Sequence, residues 1–471
     1  MRSLKIAIVG SGPSGFYAAE ELLQHTLPIE ITMLERLPVP FGLVRSGVAP
    51  DHPKLKLPAL TYDKIAQSAR FHYLGNVELG RDLSVTEILE CHHAIIFACG
   101  AFSARKLEIP GETLTGVHSA SEFVGWYNGH PDYRHLCFDL SQERVAVIGQ
   151  GNVALDLARI LAKPASDLRC TDIADHAAEA LSKSRVREIH IFGRRGPTQA
   201  KFTAQELAEF ADIRDCKSIV SPRDLELNLA SQQEAADRKS RDINKNLGTL
   251  RGFTDTCLQG WSGRICQFHF YRRPTKIFGT NRVEGIQLSV TSMQGEPFEQ
   301  TVHDTGEVVD FSCGLVFSAI GFGARPIEGI PFDFRKGVLP NTQGRLIGEN
   351  KEPLYGLYAT GWIKRGASGT IGSNRADSLG TVSTLLSDLD RLDKEEKTGW
   401  HSLASLLASR QREVVTYKQW IRIDQAEIYA GQLKNKPREK FTDIDDMLTI
   451  AKTDSAACDR VAFPEPQPLR R

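Results

Sequence analysis

At 471 residues the chain is long enough for two or three domains with filled cores, and its composition, 41% hydrophobic and 25% charged, is that of a globular protein. Lys plus Arg equal Asp plus Glu at 58 each, so global charge makes no case for a nucleic-acid or membrane partner. Nine cysteines are scattered singly with no C-x-x-C pair, which argues against a disulfide framework, a zinc ribbon, an iron–sulfur cluster or a dithiol centre and leads us to expect a reducing, cytoplasmic setting.

The five residues before Ile6 do not read as a targeting segment, and no long apolar run predicts a membrane span. "KIAIVG" is a predicted strand, Ser11 to Gln24 a helix and "IEITMLE" a second strand, which together make a βαβ unit with a parallel sheet. Strand-like "HAIIFACGA" follows at 93–101. "RVAVIG" at 144–149 opens a second such unit, and "REIHIFGRR" at 187–195 is its next strand. "GLVFSAIGF" at 314–322 mirrors the 93–101 strand, "GLYATGW" at 356–362 repeats that ending, and a helix runs from about Asn374 to Leu392. The expected fold is α/β: two Rossmann-like dinucleotide-binding domains, one at 1–105 plus 325–471 and the other inserted at 106–324. Residues 223–251 read as an exposed helix and loop, and the tail after Cys458 as unstructured.

Each unit has a glycine turn between strand and helix. In "GSGPSG", Gly10 permits the tight turn, Gly12 leaves room for a pyrophosphate, and Gly15 lets helix and strand pack closely; Ser14 lies within the turn. The helix amino end offers N–H groups to phosphates. Glu35 ends the next strand, where a carboxylate accepts hydrogen bonds from a ribose with free hydroxyls. The second turn is Gly149-Gln150-Gly151-Asn152-Val153-Ala154, and its next strand ends in Arg194-Arg195, guanidinium groups suited to a ribose 2′-phosphate. The insertion "KPASDLRCTDIADHAAEALSKS" makes that interval unusually long. Two chemically different dinucleotides follow, and FAD with NADP(H) fits the pair, the first domain binding FAD and the second NADP.

With these residues in place, the sequence closely resembles the adrenodoxin reductase family of ferredoxin–NADP reductases. The runs "VGSGPSGFYAAEELL", "PFGLVRSGVAPDHPK", "FVGWYNG", "IGQGNVALDLARIL", "GRRGPTQAKFTAQEL", "GLVFSAIGF", "GWIKRGASGTIGSNRADS" and "KPREK" carry the likeness. The resemblance implies a two-domain flavoprotein of the glutathione reductase-like architecture, passing electrons from NADPH through FAD to a small iron–sulfur protein. It places FAD contacts at Ser14, Glu35, Leu43, Leu79, Trp362, Gly369, Thr370 and Ile371. NADP contacts fall at Gln150, Gly151, Asn152, Val153, Arg194, Arg195, Glu206 and Gly369. His52 and Glu206 are implied at the nicotinamide as positioning groups.

The chain has no cluster ligands of its own, so the acceptor is expected to be a separate [2Fe–2S] ferredoxin or adrenodoxin-like carrier. Its docking is expected near Arg238, Lys239, Arg241, Lys245, Arg251, Arg272 and Arg273, diluted by Asp237 and Asp242, on a monomer. Three alternatives stay open. A disulfide oxidoreductase needs a dithiol, and no two cysteines lie close in sequence. Another NADPH-dependent flavin oxidoreductase or monooxygenase would consume NADPH without an iron–sulfur partner. A nucleotide-binding interaction protein would keep the fold without turnover.

Overall fold

The computed structural model describes residues 3–237 and 240–453; the expected unstructured tail, and Arg238 and Lys239, lie outside them. The chain divides into two compact units. The first comprises Met1–Ser103, Asn128–Arg134 and Phe322–Arg471, and the second Ala104–Tyr127 and His135–Gly321. Asn128–Arg134 thus departs from the sequence reading, which put it in the inserted domain. Polar contacts explain its place: Arg36 grips Asp132 through two bonds of 3.1 and 2.8 Å, Lys440 donates to Asn128 at 3.3 Å, and Arg134 pairs with Asp443.

The first unit opens with β1 (Leu4–Val9), α1 (Pro13–Gln24), β2 (Ile29–Glu35), α2 (Ala59–Ala66), β3 (Phe71–Gly75) and β4 (Ala94–Phe97). Ile6 and Ile8 point to one face of the sheet, with Phe16 and Leu22 of α1. Ala7 and Val9 point to the other, beside Phe97 and Leu346, so both faces are dry.

The second unit takes β5 (Val117–Ser119), β6 (Arg144–Ile148), α3 (Asn152–Ala162), β7 (Glu188–Phe192), α4 (Ala204–Ala208), β8 (Cys216–Val220), α5 (Arg241–Thr254) and β9 (Arg264–His269). Then come β10 (Arg272–Phe278), β11 (Gly285–Gln294), β12 (Thr301–Ser312) and β13 (Leu315–Ser318). Its main sheet is parallel in the order β5-β13-β6-β7-β9-β8, and β10-β11-β12 form a separate antiparallel sheet. The insertion that lengthens the α3–β7 interval folds as two short helices, Ala165–Leu168 and Asp175–Ser182, which bury Leu168, Ala177, Ala178 and Leu181. The 223–251 region is not wholly exposed as expected, because α5 buries Leu247, Leu250 and Phe253 along one side.

The chain returns to the first unit with β14 (Asn341–Thr342), β15 (Arg345–Ile347), β16 (Pro353–Ala359), α6 (Ser373–Ser387) and α7 (Tyr417–Gln432). The completed sheet runs β14-β15-β16-β4-β1-β2-β3, with β16 parallel to β4 and the β14–β15–β16 pairings antiparallel. In both sheets the strand before the glycine turn sits where strand order reverses, between β2 and β4 in one and between β7 and β13 in the other. Parallel sheets place ligand crevices at the carboxyl ends of such strands. No helix among the described residues is long and apolar enough to cross a membrane.

Candidate functional site

The two glycine turns are built alike. Gly10 adopts φ +109° and Gly149 +136°; a Cβ on Gly10 would lie 2.5 Å from the Ala98 carbonyl oxygen, and one on Gly149 2.3 Å from that of Ala319. Each turn therefore lies against the strand across the switch point. Gly12 and Gly151 are the reverse case: where their side chains would stand there is no atom within 4 Å. That open space, beside helix amino ends that no side chain caps, fits a pyrophosphate at both turns. A Cβ on Gly15 would meet the Gly10 carbonyl oxygen at 2.1 Å, so close helix–strand packing demands glycine there; in the second turn Ala154 is accommodated, fully buried.

The first glycine of each turn donates to the next strand, Gly10 N to Leu34 O at 2.8 Å and Gly149 N to Phe192 O at 2.9 Å. One residue beyond Leu34 stands Glu35, whose carboxylate accepts bonds from Ser11 N (3.0 Å), Ser11 Oγ (2.6 Å) and Leu37 N (3.1 Å). It is locked beside the phosphate turn as an acceptor. Two and three residues beyond Phe192 stand Arg194 and Arg195, exposed and half-buried, with no side-chain hydrogen bond or ion pair among the described residues. Their carbonyls are fixed instead: Thr291 Oγ1 donates to Arg194 O at 2.8 Å and Tyr271 N to Arg195 O at 3.1 Å. Two uncompensated guanidinium groups on an anchored backbone at this strand end suit a 2′-phosphate.

Three further segments converge on the first turn. Phe41 N donates to Ser11 O at 3.0 Å, and a Cβ on Gly42 would approach Gly12 Cα to 3.1 Å, so Pro40–Leu43 lies across the phosphate loop. A Cβ on Gly361 would meet Ser14 Oγ at 2.1 Å, which brings the end of β16 to the start of α1. Asp377 of α6 fastens that end, accepting from Gly361 N at 2.5 Å and pairing with Lys364 at 2.9 Å. Trp362 stacks on Phe322 at 5.9 Å and donates its indole N–H to Ser368 O at 3.0 Å. Gly369, Thr370 and Ile371 form the loop that leads into α6, Thr370 exposed and Ile371 packed on the core. Leu43 begins a single helical turn, and Leu79 packs on the cluster containing Val9 and Leu34.

In the second turn Gln150 Nε2 donates to His269 O at 3.1 Å, and Asn152 Oδ1 accepts from Thr203 N at 2.8 Å, which ties α4 to the loop. Val153 is half-buried in the first turn of α3. Glu206, on α4, is buried rather than open: its Oε2 accepts from Arg159 Nη1 at 3.1 Å. Arg159 is itself fully buried and also meets Asp156 at 2.6 Å and Glu209 at 3.4 Å. Sequence reading missed this arginine, although an Asp and an Arg three residues apart inside the apolar run "VALDLARIL" were the available signal. It also missed Ser11 and Asp377, which orient Glu35 and the β16 end. His52, in the first unit, is half-buried and its N–H bonds Ala49 O at 3.0 Å, ahead of the turn Pro53–Lys56. His52 and Glu206 belong to different units.

Two nucleotide crevices on parallel sheets define a pyridine-nucleotide-linked oxidoreductase fold, and residues 4–191 match the family described as Pyridine nucleotide-disulphide oxidoreductase. The NADPH:adrenodoxin oxidoreductase of Arabidopsis thaliana is 40% identical over 462 residues, 96% of either chain. The NADPH-ferredoxin reductase FprA of Mycobacterium leprae is 42% identical, covering 94% of this chain and 98% of its own. The structure of Mycobacterium tuberculosis FprA in complex with NADPH superposes with a TM-score of 0.90 at 39% identity, over 96% of this chain and 100% of that one. The chain belongs to the family of NADPH:adrenodoxin oxidoreductases and NADPH-ferredoxin reductases.

Proposed function

We infer that the protein is an FAD-dependent ferredoxin–NADP reductase that draws electrons from NADPH and delivers them singly to a [2Fe–2S] ferredoxin or adrenodoxin-like protein. One observation carries the reading: a locked carboxylate, Glu35, ends the strand after one phosphate turn, and the unpaired Arg194 and Arg195 follow the other. The first selects a ribose with free hydroxyls and the second a phosphorylated one. FAD bound in the first unit supplies two-electron acceptance on one side and one-electron release on the other.

The chain's own residues bind and orient. Gly12 and the α1 amino end receive the FAD pyrophosphate, Glu35 its adenosine ribose, and the Gly369–Ile371 loop with Trp362 the ring end. Gln150–Val153 receive the NADP pyrophosphate, and Arg194 with Arg195 clamp the 2′-phosphate. Hydride transfer requires the two rings in close contact rather than a protein acid or base, so His52 and Glu206 act as positioning groups. We also propose a monomer in a reducing cytoplasm, a setting that the eight free thiols among the described residues suit. Long-range steering of an acidic carrier falls to Arg241, Lys245 and Arg251, exposed on α5. Arg272 and Arg273 contribute less, since they pair with Asp224 and Asp304.

The deciding experiment is the visible spectrum of the purified protein before and after NADPH, followed by cytochrome c reduction with and without adrenodoxin. A flavin spectrum bleached by NADPH, with cytochrome c reduced only when adrenodoxin is present, is the expected result. A colourless chain that cannot take up FAD overturns it.

A further inference from the structure

The first unit carries an apolar outer face that the nucleotide sites do not use. It begins in the turn Pro53–Lys56 and continues into α2. The inner side of α2 is ordinary core: Tyr62 is fully buried and stacks on Phe16 at 4.8 Å, with Ile65 beside it. The outer side is unusual. Leu55, Leu57 and Leu60 are 44%, 46% and 61% exposed. Leu57, Leu60 and Lys64 recur at helical spacing and so share one stripe. A lone exposed leucine needs no explanation, but three within six residues form a patch.

The patch is rimmed by positive charge. Lys54 and Lys64 are exposed and have no ion-pair partner among the described residues. Asp63, the one carboxylate on α2, is taken up by the Tyr417 hydroxyl. On its inner side α2 packs against the segment that crosses the phosphate loop, the Tyr62 ring lying 5.9 Å from that of Phe41, whose N–H donates to Ser11 O.

We propose that this face is the contact surface for an acidic one-electron carrier of the [2Fe–2S] class. The leucines supply the apolar centre, and Lys54 and Lys64 meet carboxylates at its rim. The proposal rests on the reductase reading above. Charge separates the carrier from a second copy of this chain. In a two-fold contact the patch would meet itself, setting lysines against lysines.

Two variants test it, Leu57→Ser with Leu60→Ser, and Lys54→Glu with Lys64→Glu, each as the FAD-loaded protein. NADPH-driven reduction of menadione, a neutral small acceptor that needs no docking, is expected to stay within about twofold of wild type. The KM for adrenodoxin in cytochrome c reduction is expected to rise ~10-fold or more in both, with the charge-reversed variant losing part of its salt dependence. An adrenodoxin KM unchanged in both variants overturns the surface and leaves the reductase reading standing. Wild-type self-association, or flotation with anionic vesicles, that the variants lose while that KM stays constant assigns the face to another occupant and overturns it too. A wild-type protein that reduces menadione but never adrenodoxin removes the carrier reading, and this surface with it.

Discussion

Arg45 and Glu427 stand 382 residues apart and close on each other in the first unit, Arg45 Nη1 donating to Glu427 Oε2 at 2.8 Å with a second, parallel bond beside it. Arg438 reaches the same carboxylate at 3.2 Å and Phe441 N at 2.9 Å, while the Arg45 guanidinium lies 5.4 Å from the Trp420 ring. Arg45 sits on the single helical turn that follows the segment across the phosphate loop. The pair therefore fastens one wall of the proposed FAD site to α7. Glu427 is fully buried and the Arg45 side chain nearly so, and removing the carboxylate leaves that guanidinium without its partner, at a cost of about 3–5 kcal/mol. Glu427→Ala is expected to lower unfolding stability by that amount and to reduce flavin content. Urea titration and the ratio of flavin to protein absorbance read both effects, and wild-type values would remove the fastening role.

Replacing Arg194 and Arg195 together by Ala is expected to raise the NADPH KM ~10²-fold or more, since each charge-assisted contact contributes about 1.5–3 kcal/mol. The KM for NADH, which lacks the 2′-phosphate, should barely move. Steady-state kinetics with both coenzymes checks this; an undiminished preference for NADPH would refute the assignment.

Glu35→Ala removes an acceptor held by three protein donors, leaving Ser11 without its partner as well as the ribose without an acceptor. Flavin is expected to dissociate on dilution or gel filtration, with apparent FAD affinity ~10-fold or more weaker. Full flavin content after purification counts against the ribose role.

Acid should destabilise the protein in two stages. Burial pushes the imidazoles of His92 and His130 down to about 4 and that of His269 to about 3, against an ordinary value of 6.5. Below pH 6.5 the unfolded chain takes up protons that these folded histidines refuse. Their contribution is thus whole above 6.5 and falls by about 1.4 kcal/mol per histidine per pH unit down to the folded values. Glu427 acts lower: burial raises its carboxyl, but Arg45, Arg438 and Phe441 N outweigh burial and hold it below the ordinary 4.5. Its contribution is present above that value and is lost as pH falls through the folded one. Urea midpoints at several pH values between 7 and 4 should decline from the first step; a flat profile to pH 5 would contradict neutral buried histidines.

Neutralising Arg241, Lys245 and Arg251 is expected to flatten the salt dependence of adrenodoxin turnover while leaving NADPH kinetics alone. An unaltered slope against ionic strength would place steering elsewhere.

The parts of this protein legible in its sequence are those where backbone approaches backbone. Gly10, Gly15 and Gly149 tolerate no larger residue, so their spacing announced both turns and the parallel strands around them. The "KPREK" run was legible only as a family mark; its work, bringing Arg438 to the Glu427 carboxylate that Arg45 grips from 382 residues away, depends on a meeting of segments that no local pattern records. Arg272 and Arg273 looked like free docking charges because Asp224 and Asp304 are 48 and 31 residues away. The polar strand β12 has no clean two-residue alternation, since both its faces are largely exposed, and the antiparallel sheet it completes went unread. Residues 223–251 looked solvated because the apolar stripe of α5 is sparse among polar neighbours.

The interruption of the first unit has a consequence for how the chain is made. β4 ends at Phe97, and its neighbour β16 begins only at Pro353. At about 5–20 residues per second a ribosome needs on the order of 10–50 s to travel between them. Meanwhile the entire second unit emerges, its two ends joined by the bond from Arg105 N to Gly321 O at 3.1 Å, so it can close first. The amino-terminal strands wait with one edge unmatched, and that interval is when a nascent chain of this protein most needs a chaperone.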